Sequence, residues 1–194
     1  MSDFGIIGIG RIGTSMARNM SSKGIIVSLY DKSHNFLKNL KSDYPELEAS
    51  LVFDDICKFI SSISKPRKVL VLVPSGSALD EVISILIKYL DPKDILIDGG
   101  NTNPNVCLKN HQTIKSKNLF YLGMGVSGGV KGVLEGPSLM IGGDTNAFDE
   151  VKNIFSQITS NTINDSKSFE FFGDSNQGHF VKMIHNGIEY VEMQ

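Results

Sequence analysis

Cysteine is scarce in this chain, and the two that occur are poorly placed for pairing or for metal binding. The sequence has 194 residues and two cysteines. Cys57 and Cys107 lie far apart and lack the close spacing of metal ligands. Disulfide frameworks belong to oxidising compartments. We therefore expect free thiols and a reducing, cytoplasmic setting.

The chain also has little net charge and no long apolar run. The formal net charge is -2, which gives no reason to expect nucleic acid or a membrane surface as a partner. No segment has the roughly 20 consecutive apolar residues that a membrane-spanning helix needs. Instead, 41% hydrophobic and 21% charged residues are ordinary values for a globular domain.

Short apolar runs alternate with amphipathic segments along the chain. Near-continuous Val, Ile and Leu runs are typical of parallel strands buried on both faces. The alternation predicts an α/β fold of the Rossmann type, with a doubly wound, mostly parallel sheet. The predicted strands are 4–9, 25–30, 68–73, 94–99, 119–123, 138–143 and 169–172. The predicted helices are 11–23, 33–41, 54–63, 77–90, 103–117 and 145–158.

The motif GIGRIG, at 8–13, follows a predicted strand and opens a predicted helix. In this context the first glycine permits a tight turn, the second lets a pyrophosphate approach the backbone, and the third lets the helix pack closely on the strand. The motif therefore predicts dinucleotide binding rather than a purely structural turn. The expected contacts here are Gly8, Gly10, Arg11, Ile12 and Gly13, together with Val73 from a neighbouring strand end.

The end of the second predicted strand reads Asp31, Lys32, Ser33. An acidic residue about 20 residues past the glycines usually binds the ribose 2′-hydroxyl of NAD, whereas a basic residue favours the 2′-phosphate of NADP. Both types are present and adjacent, and Lys32 is equally compatible with a solvated surface lysine. These residues alone leave the choice of cofactor open.

Two further motifs end predicted strands. IDGGN, at 97–101, places Asn101 beyond the carboxyl end of a strand, where ligands bind in open α/β sheets; a simple turn explains it equally well. The segment 123–143 is dense in glycine, which suggests backbone brought close to a ligand. Ser127 adds a hydroxyl there.

The closing stretch, HFVKMIHNGIEYVEMQ, carries a polar stripe. Lys182, His185, Asn186 and Glu189 follow i, i+3, i+4, i+7 spacing, so they share one face of a predicted helix. Apolar residues take the other side. A solvated face with a Lys–Glu pair would not need the histidine and asparagine, so we expect the stripe to face a ligand.

IDGGN, GVSGG with GPSLM, and GHFVKM with HNGIEY together resemble 6-phosphogluconate dehydrogenase, in that family's order and at about its spacing. The resemblance is to the N-terminal part and covers nearly the whole chain. It implies oxidative decarboxylation of 6-phosphogluconate to ribulose 5-phosphate with reduction of NADP, in the pentose phosphate pathway and gluconate utilisation. It implies no metal.

The resemblance also assigns roles to residues. It implies that Lys182 is the general base and Glu189 the acid that protonates the enediol. The residues implied to bind substrate are Asn101, Ser127, Gly128, Gly129, His185, Asn186 and Tyr190. Asn101 is expected at the cofactor as well.

Two departures from the family's pattern qualify these expectations. Relatives usually have Asn-Arg-Thr where this chain has Asp31, Lys32 and Ser33. NADP is therefore expected by resemblance, with NAD as the alternative because of Asp31. Relatives also continue from the closing helix into a large all-helical domain that forms the dimer. We expect 1–174 to be the dinucleotide-binding domain, 175–194 to begin the linking helix, and a homodimer only with that further domain.

Two other functions remain open from the sequence. The chain could be a nucleotide-binding module without turnover, or another β-hydroxyacid dehydrogenase such as a 3-hydroxyisobutyrate-type enzyme. HNGIEY and IDGGN disfavour the second.

Overall fold

The computed structural model describes residues 1–193; Gln194 and the side chains of Asn35 and Phe36 lie outside that description. The last residue of the predicted linking segment, Gln194, therefore falls outside the described residues. Across residues 1–193, no helix is both long and apolar enough to cross a membrane.

Strands and helices alternate along most of the chain, as predicted for an α/β fold. The strands are β1 (Phe4–Ile7), β2 (Val27–Tyr30), β3 (Leu51–Phe53), β4 (Lys68–Val71), β5 (Ile95–Asp98), β6 (Phe120–Ser127), β7 (Ser138–Gly143) and β8 (Phe169–Phe171). The α-helices are α1 (Arg11–Ser22), α2 (His34–Lys38), α3 (Leu40–Asp43), α4 (Ile56–Ser61), α5 (Ser77–Tyr89), α6 (Pro104–Lys115), α7 (Gly129–Glu135), α8 (Thr145–Ile158) and α9 (Gln177–Glu192). A short 3-10 helix spans Pro45–Leu47.

The strands form one sheet in the order β3-β2-β1-β4-β5-β6-β7-β8. Every neighbouring pair is parallel except β6 and β7, which pair antiparallel from Leu122 with Gly143 to Ser127 with Ser138. The order reverses between β1 and β4, where connections leave to opposite faces and open a crevice at the carboxyl edge. The predicted Rossmann-type, mostly parallel sheet is confirmed.

Two apolar cores cover the two faces of the sheet. One packs α1, α7 and α8 against it through residues such as Met16, Val133 and Phe155, all fully buried. The other packs α4, α5 and α6 through residues such as Phe59 and Leu86, also fully buried. Burial on both faces explains why the central strands are almost continuously apolar in sequence.

Three local predictions were wrong or incomplete. The predicted helix 33–41 is two short helices, α2 and α3, because Asn39 leaves helical geometry at φ -104 and ψ 0. Strand β3 was not predicted, since three residues at the sheet edge are too short to show a period. Helix α7 was not predicted either, because its glycine-rich sequence resembles a loop.

Candidate functional site

Two adjoining cavities open along the carboxyl edge of the sheet, at the reversal of strand order. The smaller, about 300 Å³, is termed the β1–β2 cleft. It is lined by Ile7, Gly8, Gly10, Tyr30, Asp31, Lys32, Ile56, Leu72, Val73, Pro74, Ala78, Glu81, Val82 and Ile85. The larger, about 1080 Å³, is termed the α9 cavity. It is lined by Gly10, Arg11, Ile12, Gly13, Leu72, Val73, Pro74, Ser75, Gly99, Gly100, Asn101, Val126, Ser127, Gly128, Gly129, Val133, Lys182, His185, Asn186, Glu189 and Tyr190.

The three fingerprint glycines have different reasons to be glycine. Gly8 has φ +89, and a Cβ there would lie 2.6 Å from the Leu72 carbonyl oxygen. A Cβ on Gly13 would overlap the carbonyl oxygen of Gly8. A Cβ on Gly10 would meet nothing within 4 Å. The turn itself therefore requires Gly8 and Gly13, whereas Gly10 leaves open space in which a pyrophosphate fits.

Asp31 ties the fingerprint turn to the end of β2. Its carboxylate accepts a hydrogen bond from the Ile9 amide and another from the Ser33 amide, each 2.8 Å long. Lys32 is exposed and lines the β1–β2 cleft. Ser33 lines neither cavity and stands at the N-cap of α2. Of the three residues predicted here, Asp31 and Lys32 line the cleft and Ser33 does not.

The IDGGN motif is anchored by a buried carboxylate. Asp98 is fully buried and accepts hydrogen bonds from the Gly100 amide at 3.1 Å and from the Tyr121 hydroxyl at 3.0 Å. The His179 ring nitrogen Nε2 lies 3.5 Å from Asp98 Oδ2. Burial by itself would raise the pKa of Asp98, but His179, Thr102 and the Gly100 amide outweigh it, so the pKa is lowered. This anchor fixes the turn that brings Asn101 to the α9 cavity.

Glycines in β6 and β7 face α9 rather than a ligand. Added Cβ atoms would overlap the Ser175 carbonyl oxygen at Gly123, Lys182 Cβ at Gly125 and the Asp174 carbonyl oxygen at Gly142. On the helix side, a Cβ at Gly178 would overlap the Gly123 and Met140 carbonyl oxygens. The prediction that these glycines approach a ligand was therefore wrong for Gly123, Gly125 and Gly142, which let a helix lie directly on the sheet.

Gly128 and Gly129 do lie at the cavity, and both have left-handed backbone. Their φ angles are +128 and +59, which favour glycine independently of any ligand. Ser127, just before them, is buried and its Oγ lies 3.5 Å from His185 Nε2. The β6–α7 turn and α9 therefore meet across the α9 cavity.

The polar stripe of α9 lines this cavity. Lys182, His185, Asn186 and Glu189 all contribute to its wall, and Tyr190 joins them. His185 Nδ1 lies 3.7 Å from Glu189 Oε2. Burial lowers the pKa of Lys182 below its ordinary value, while the Glu189 carboxylate opposes the shift. A lysine whose pKa is lowered by burial can act as a general base.

The apolar side of α9 faces outward. Phe180, Ile184, Ile188 and Val191 are 45%, 46%, 58% and 76% exposed. This is the reverse of an ordinary surface helix, whose apolar stripe faces the core. The helix thus presents its polar groups to the cavity and its apolar groups to the outside of the described chain.

Three residues at the site were not predicted from sequence. Glu81 lines the β1–β2 cleft from α5, a placement that depends on packing and leaves no pattern in sequence. Asp98 and His179 form the buried anchor. The signal for His179 was present, since it lies three residues before Lys182 and extends the polar stripe by one turn.

The comparisons with known proteins agree on one family. The family described as the NAD binding domain of 6-phosphogluconate dehydrogenase matches residues 3–166. The 6-phosphogluconate dehydrogenase, decarboxylating, of Staphylococcus epidermidis is 38% identical over 190 residues, covering 98% of this chain and 40% of that protein. The enzyme of the same name from Lactococcus lactis subsp. cremoris is 37% identical, covering 100% of this chain and 41% of that protein.

Solved structures place the chain in the same fold. Plasmodium falciparum 6-phosphogluconate dehydrogenase, studied with its cofactor NADP+ and its substrate 6-phosphogluconate, superposes with a TM-score of 0.93 at 35% identity, covering 98% of this chain and 41% of that one. Mycobacterium tuberculosis 3-hydroxyisobutyrate dehydrogenase superposes with a TM-score of 0.81 at 18% identity, covering 97% of this chain and 60% of that one, which shows a shared fold. The chain spans about two fifths of the curated relatives' length.

Gly125→Ala tests the close seating of α9. The added methyl group would overlap Lys182 Cβ and lie 3.0 Å from the Gly178 carbonyl oxygen, so we expect a loss of about 1–3 kcal/mol in the free energy of unfolding. The control is Gly132→Ala, since a Cβ at Gly132 meets nothing within 4 Å and alanine favours a helix. Chemical denaturation measures both. Parent-like stability of Gly125→Ala would contradict this packing.

Gly10→Ala tests whether the fingerprint turn holds a ligand. Because the protein leaves space at this position, we expect unchanged unfolding but about tenfold weaker binding of NADH or NADPH, roughly 1.4 kcal/mol. Fluorescence titration of the reduced cofactors, beside thermal unfolding, measures both effects. Gly132→Ala serves as the control for cofactor binding. Unchanged cofactor affinity would show that no pyrophosphate lies against Gly10.

Proposed function

Since the chain belongs to the 6-phosphogluconate dehydrogenase family through its NAD-binding domain, we propose that it supplies the cofactor half of an oxidoreductase acting on 6-phosphogluconate. The products are ribulose 5-phosphate and carbon dioxide, as in the pentose phosphate pathway and gluconate utilisation. The observation that carries this proposal is the polar stripe of α9, with Lys182 and Glu189 on one cavity beside the fingerprint turn.

The residues at the carboxyl edge fit a nicotinamide dinucleotide. The open space at Gly10 suits a pyrophosphate, and Gly10 and Val73 line both cavities. One ligand can therefore extend from the β1–β2 cleft, past Arg11 and Ile12, into the α9 cavity near Asn101. When bound, the oxidised nicotinamide supplies the hydride acceptor. NADP+ is the cofactor of the Plasmodium falciparum relative, and residues of the β1–β2 cleft decide between NADP and NAD.

Lys182 begins the chemistry as the general base. Its lowered pKa raises the fraction of neutral amine at a given pH. The amine takes the proton of the substrate's 3-hydroxyl as C3 loses a hydride, which leaves a 3-keto acid and a protonated Lys182. The keto group lies β to the carboxylate, so the C1–C2 bond can break and release carbon dioxide. Protonated Lys182 returns its proton to the C3 oxygen in this step, which leaves an enediol.

Glu189 completes the reaction as the acid. It lies two helical turns beyond Lys182 on the same wall of the cavity. A protonated Glu189 carboxyl group donates its proton to the enediol carbon that lost carbon dioxide, while neutral Lys182 takes the proton of the adjacent enediol hydroxyl. This gives the ketone of ribulose 5-phosphate. His185 lies 3.7 Å from the Glu189 carboxylate and 3.5 Å from Ser127 Oγ, so it can orient both the acid and a substrate hydroxyl.

The remaining polar groups of the α9 cavity would hold the sugar acid. Hydroxyl, amide and backbone N–H groups supply donors and acceptors for a polyhydroxy acid phosphate. The proposed substrate-binding residues are Asn101, Ser127, Gly128, Gly129, His185, Asn186 and Tyr190. Asn101 lies where the substrate and the nicotinamide would meet. The proposal assigns no step to a metal ion.

We propose that a further helical domain completes the site. Residues 1–174 would form the dinucleotide-binding domain, and 175–194 would begin the helix that leads to the helical one. The exposed apolar side of α9, with Ile188 58% and Val191 76% exposed, is suited to pack against such a domain. Homodimerisation would depend on it. A cytoplasmic location is part of the proposal, since Cys57 and Cys107 are free thiols.

Two alternatives are less well supported. A 3-hydroxyisobutyrate-type enzyme rests on likeness of fold at 18% identity, whereas the relatives at 37–38% identity carry the 6-phosphogluconate dehydrogenase name. A nucleotide-binding module without turnover would need neither Lys182 nor Glu189 at the cavity. Activity measured on a panel of hydroxy acids tests the first alternative. The assay described next tests the second.

Lys182→Met and Glu189→Gln test the assigned chemistry. In a fusion of this chain with the remaining part of the Staphylococcus epidermidis relative, Lys182→Met should abolish NAD(P)H formation, because methionine carries no base. Glu189→Gln should slow ribulose 5-phosphate release more than the first hydride transfer, because an amide donates no acidic proton. Stopped-flow absorbance and product assay measure the two steps. Cofactor affinity should stay unchanged in both variants, which controls for folding.

The unfused chain should turn over very slowly, because it holds only part of the proposed substrate site and would not fix the substrate in place. Misplacement of a substrate by about 1 Å can cost about 100-fold in rate. Turnover near 10 per second, an ordinary enzyme rate, would show that the helical domain is dispensable. An inactive fusion that still binds cofactor would favour the module without turnover.

A further inference from the structure

We infer that the β1–β2 cleft selects NAD over NADP, with Glu81 acting beside Asp31 as a second specificity-determining carboxylate. This inference rests on the proposed function, because it takes the cleft to hold the adenosine half of the cofactor. It goes further by choosing the chemical form of that cofactor and by assigning a role to a residue on α5.

The shape of the cleft suits an adenosine. Its volume is about 300 Å³, and Ile56, Val82 and Ile85 give it apolar walls on which a flat heteroaromatic base can pack. Gly8 and Gly10 form its floor toward the pyrophosphate space. A base seated here would bring its ribose to the end of β2, where acidic residues bind ribose hydroxyls in dinucleotide folds.

Asp31 is fixed in place as an acceptor at that point. Both of its carboxylate oxygens already accept backbone amides, from Ile9 and Ser33 at 2.8 Å. The side chain therefore cannot turn away from a ligand without losing two hydrogen bonds. Each oxygen keeps a further lone pair, so the carboxylate can accept from a ribose 2′-hydroxyl. A phosphate monoester at the same position, with a charge of about -1.5 to -2 near neutral pH, would be repelled.

Glu81 adds a second negative charge from another wall of the same cleft. It is exposed, and none of the described side chains forms an ion pair or hydrogen bond with its carboxylate. Burial raises the pKa of Tyr30 in the cleft, and the charges of Asp31 and then Glu81 raise it further. The two carboxylates therefore act on the same region. A 2′-phosphate at the end of β2 would meet both.

The positive charge at the cleft is smaller than the negative charge. Among the described residues that line it, Lys32 is the cation, against the two carboxylates of Asp31 and Glu81. Nearby Asp54 is paired with His34 at 2.8 Å, and Asp55 caps α4 by accepting from the Lys58 amide. Asp54 and Asp55 add no positive charge, so the net charge around the cleft stays negative. The charge of one exposed lysine is too small to offset the repulsion between a doubly charged phosphate and the two carboxylates that line the cleft.

The test is fluorescence titration of the chain with NADH and with NADPH at low ionic strength. We expect NADH to bind at least about tenfold more tightly, on the scale of one or two like-charge contacts. Glu81→Gln should narrow the ratio of dissociation constants by roughly threefold, through tighter NADPH binding with NADH binding unchanged. The matched control is Glu150→Gln on α8, across the sheet, which changes net charge equally and should leave the ratio unaltered.

Salt supplies a second readout that a purely steric selection would not show. Near 1 M salt, where the screening length is about 3 Å, the preference should shrink and the effect of Glu81→Gln should vanish. Tighter NADPH binding by the parent chain, or an unchanged ratio in Glu81→Gln, would overturn the inference while leaving the proposed function standing. Failure to bind either cofactor would overturn the proposed function itself.

Discussion

The direct contact between α9 and the antiparallel β6–β7 pair is the constraint on which the candidate site depends. Gly123, Gly125 and Gly142 leave no side chain between sheet and helix, and Gly178 does the same from the helix. Because the backbones touch, Lys182 begins at the sheet surface and its side chain is partly buried. That burial lowers its pKa, which is the property a general base requires. The close packing of α9 on the sheet therefore also accounts for the lowered pKa of Lys182.

A buried anchor joins this helix to the cofactor edge of the sheet. Asp98 ends β5, contacts His179 on α9 and holds the turn that presents Asn101. The element that carries the proposed acid–base residues is thereby linked to the strand ends that line the α9 cavity. Removing one partner of such a pair leaves an uncompensated polar group in the interior. The position of α9 and the geometry of the turn at Asn101 therefore depend on the same few buried contacts.

The sequence was most informative where function and backbone geometry require the same residue. Gly8 and Gly13 follow from the turn, and the α9 stripe follows from helical period, so both were predictable. Glu81 was not, because its place at the cleft arises from how α5 packs on the sheet, which no short-range pattern records. The glycines of β6 and β7 were recognised but misinterpreted, since sequence alone does not distinguish a neighbouring helix from a ligand. Helix α7 was missed because its glycines were interpreted as backbone close to a ligand, and glycine has a low helix propensity.

The most direct test of the account is to map where each ligand binds on the isotopically labelled chain by NMR. Oxidised cofactor should shift the amide signals of 8–13 and of the end of β2. 6-Phosphogluconate, added at millimolar concentration to that complex, should then shift those of Ser127–Gly129 and of α9 from Lys182 to Tyr190, without displacing the cofactor. The two sets of shifts would place the two ligands in adjoining cavities. Substrate-induced shifts outside the α9 cavity, or displacement of the cofactor by the sugar acid, would contradict the central claim.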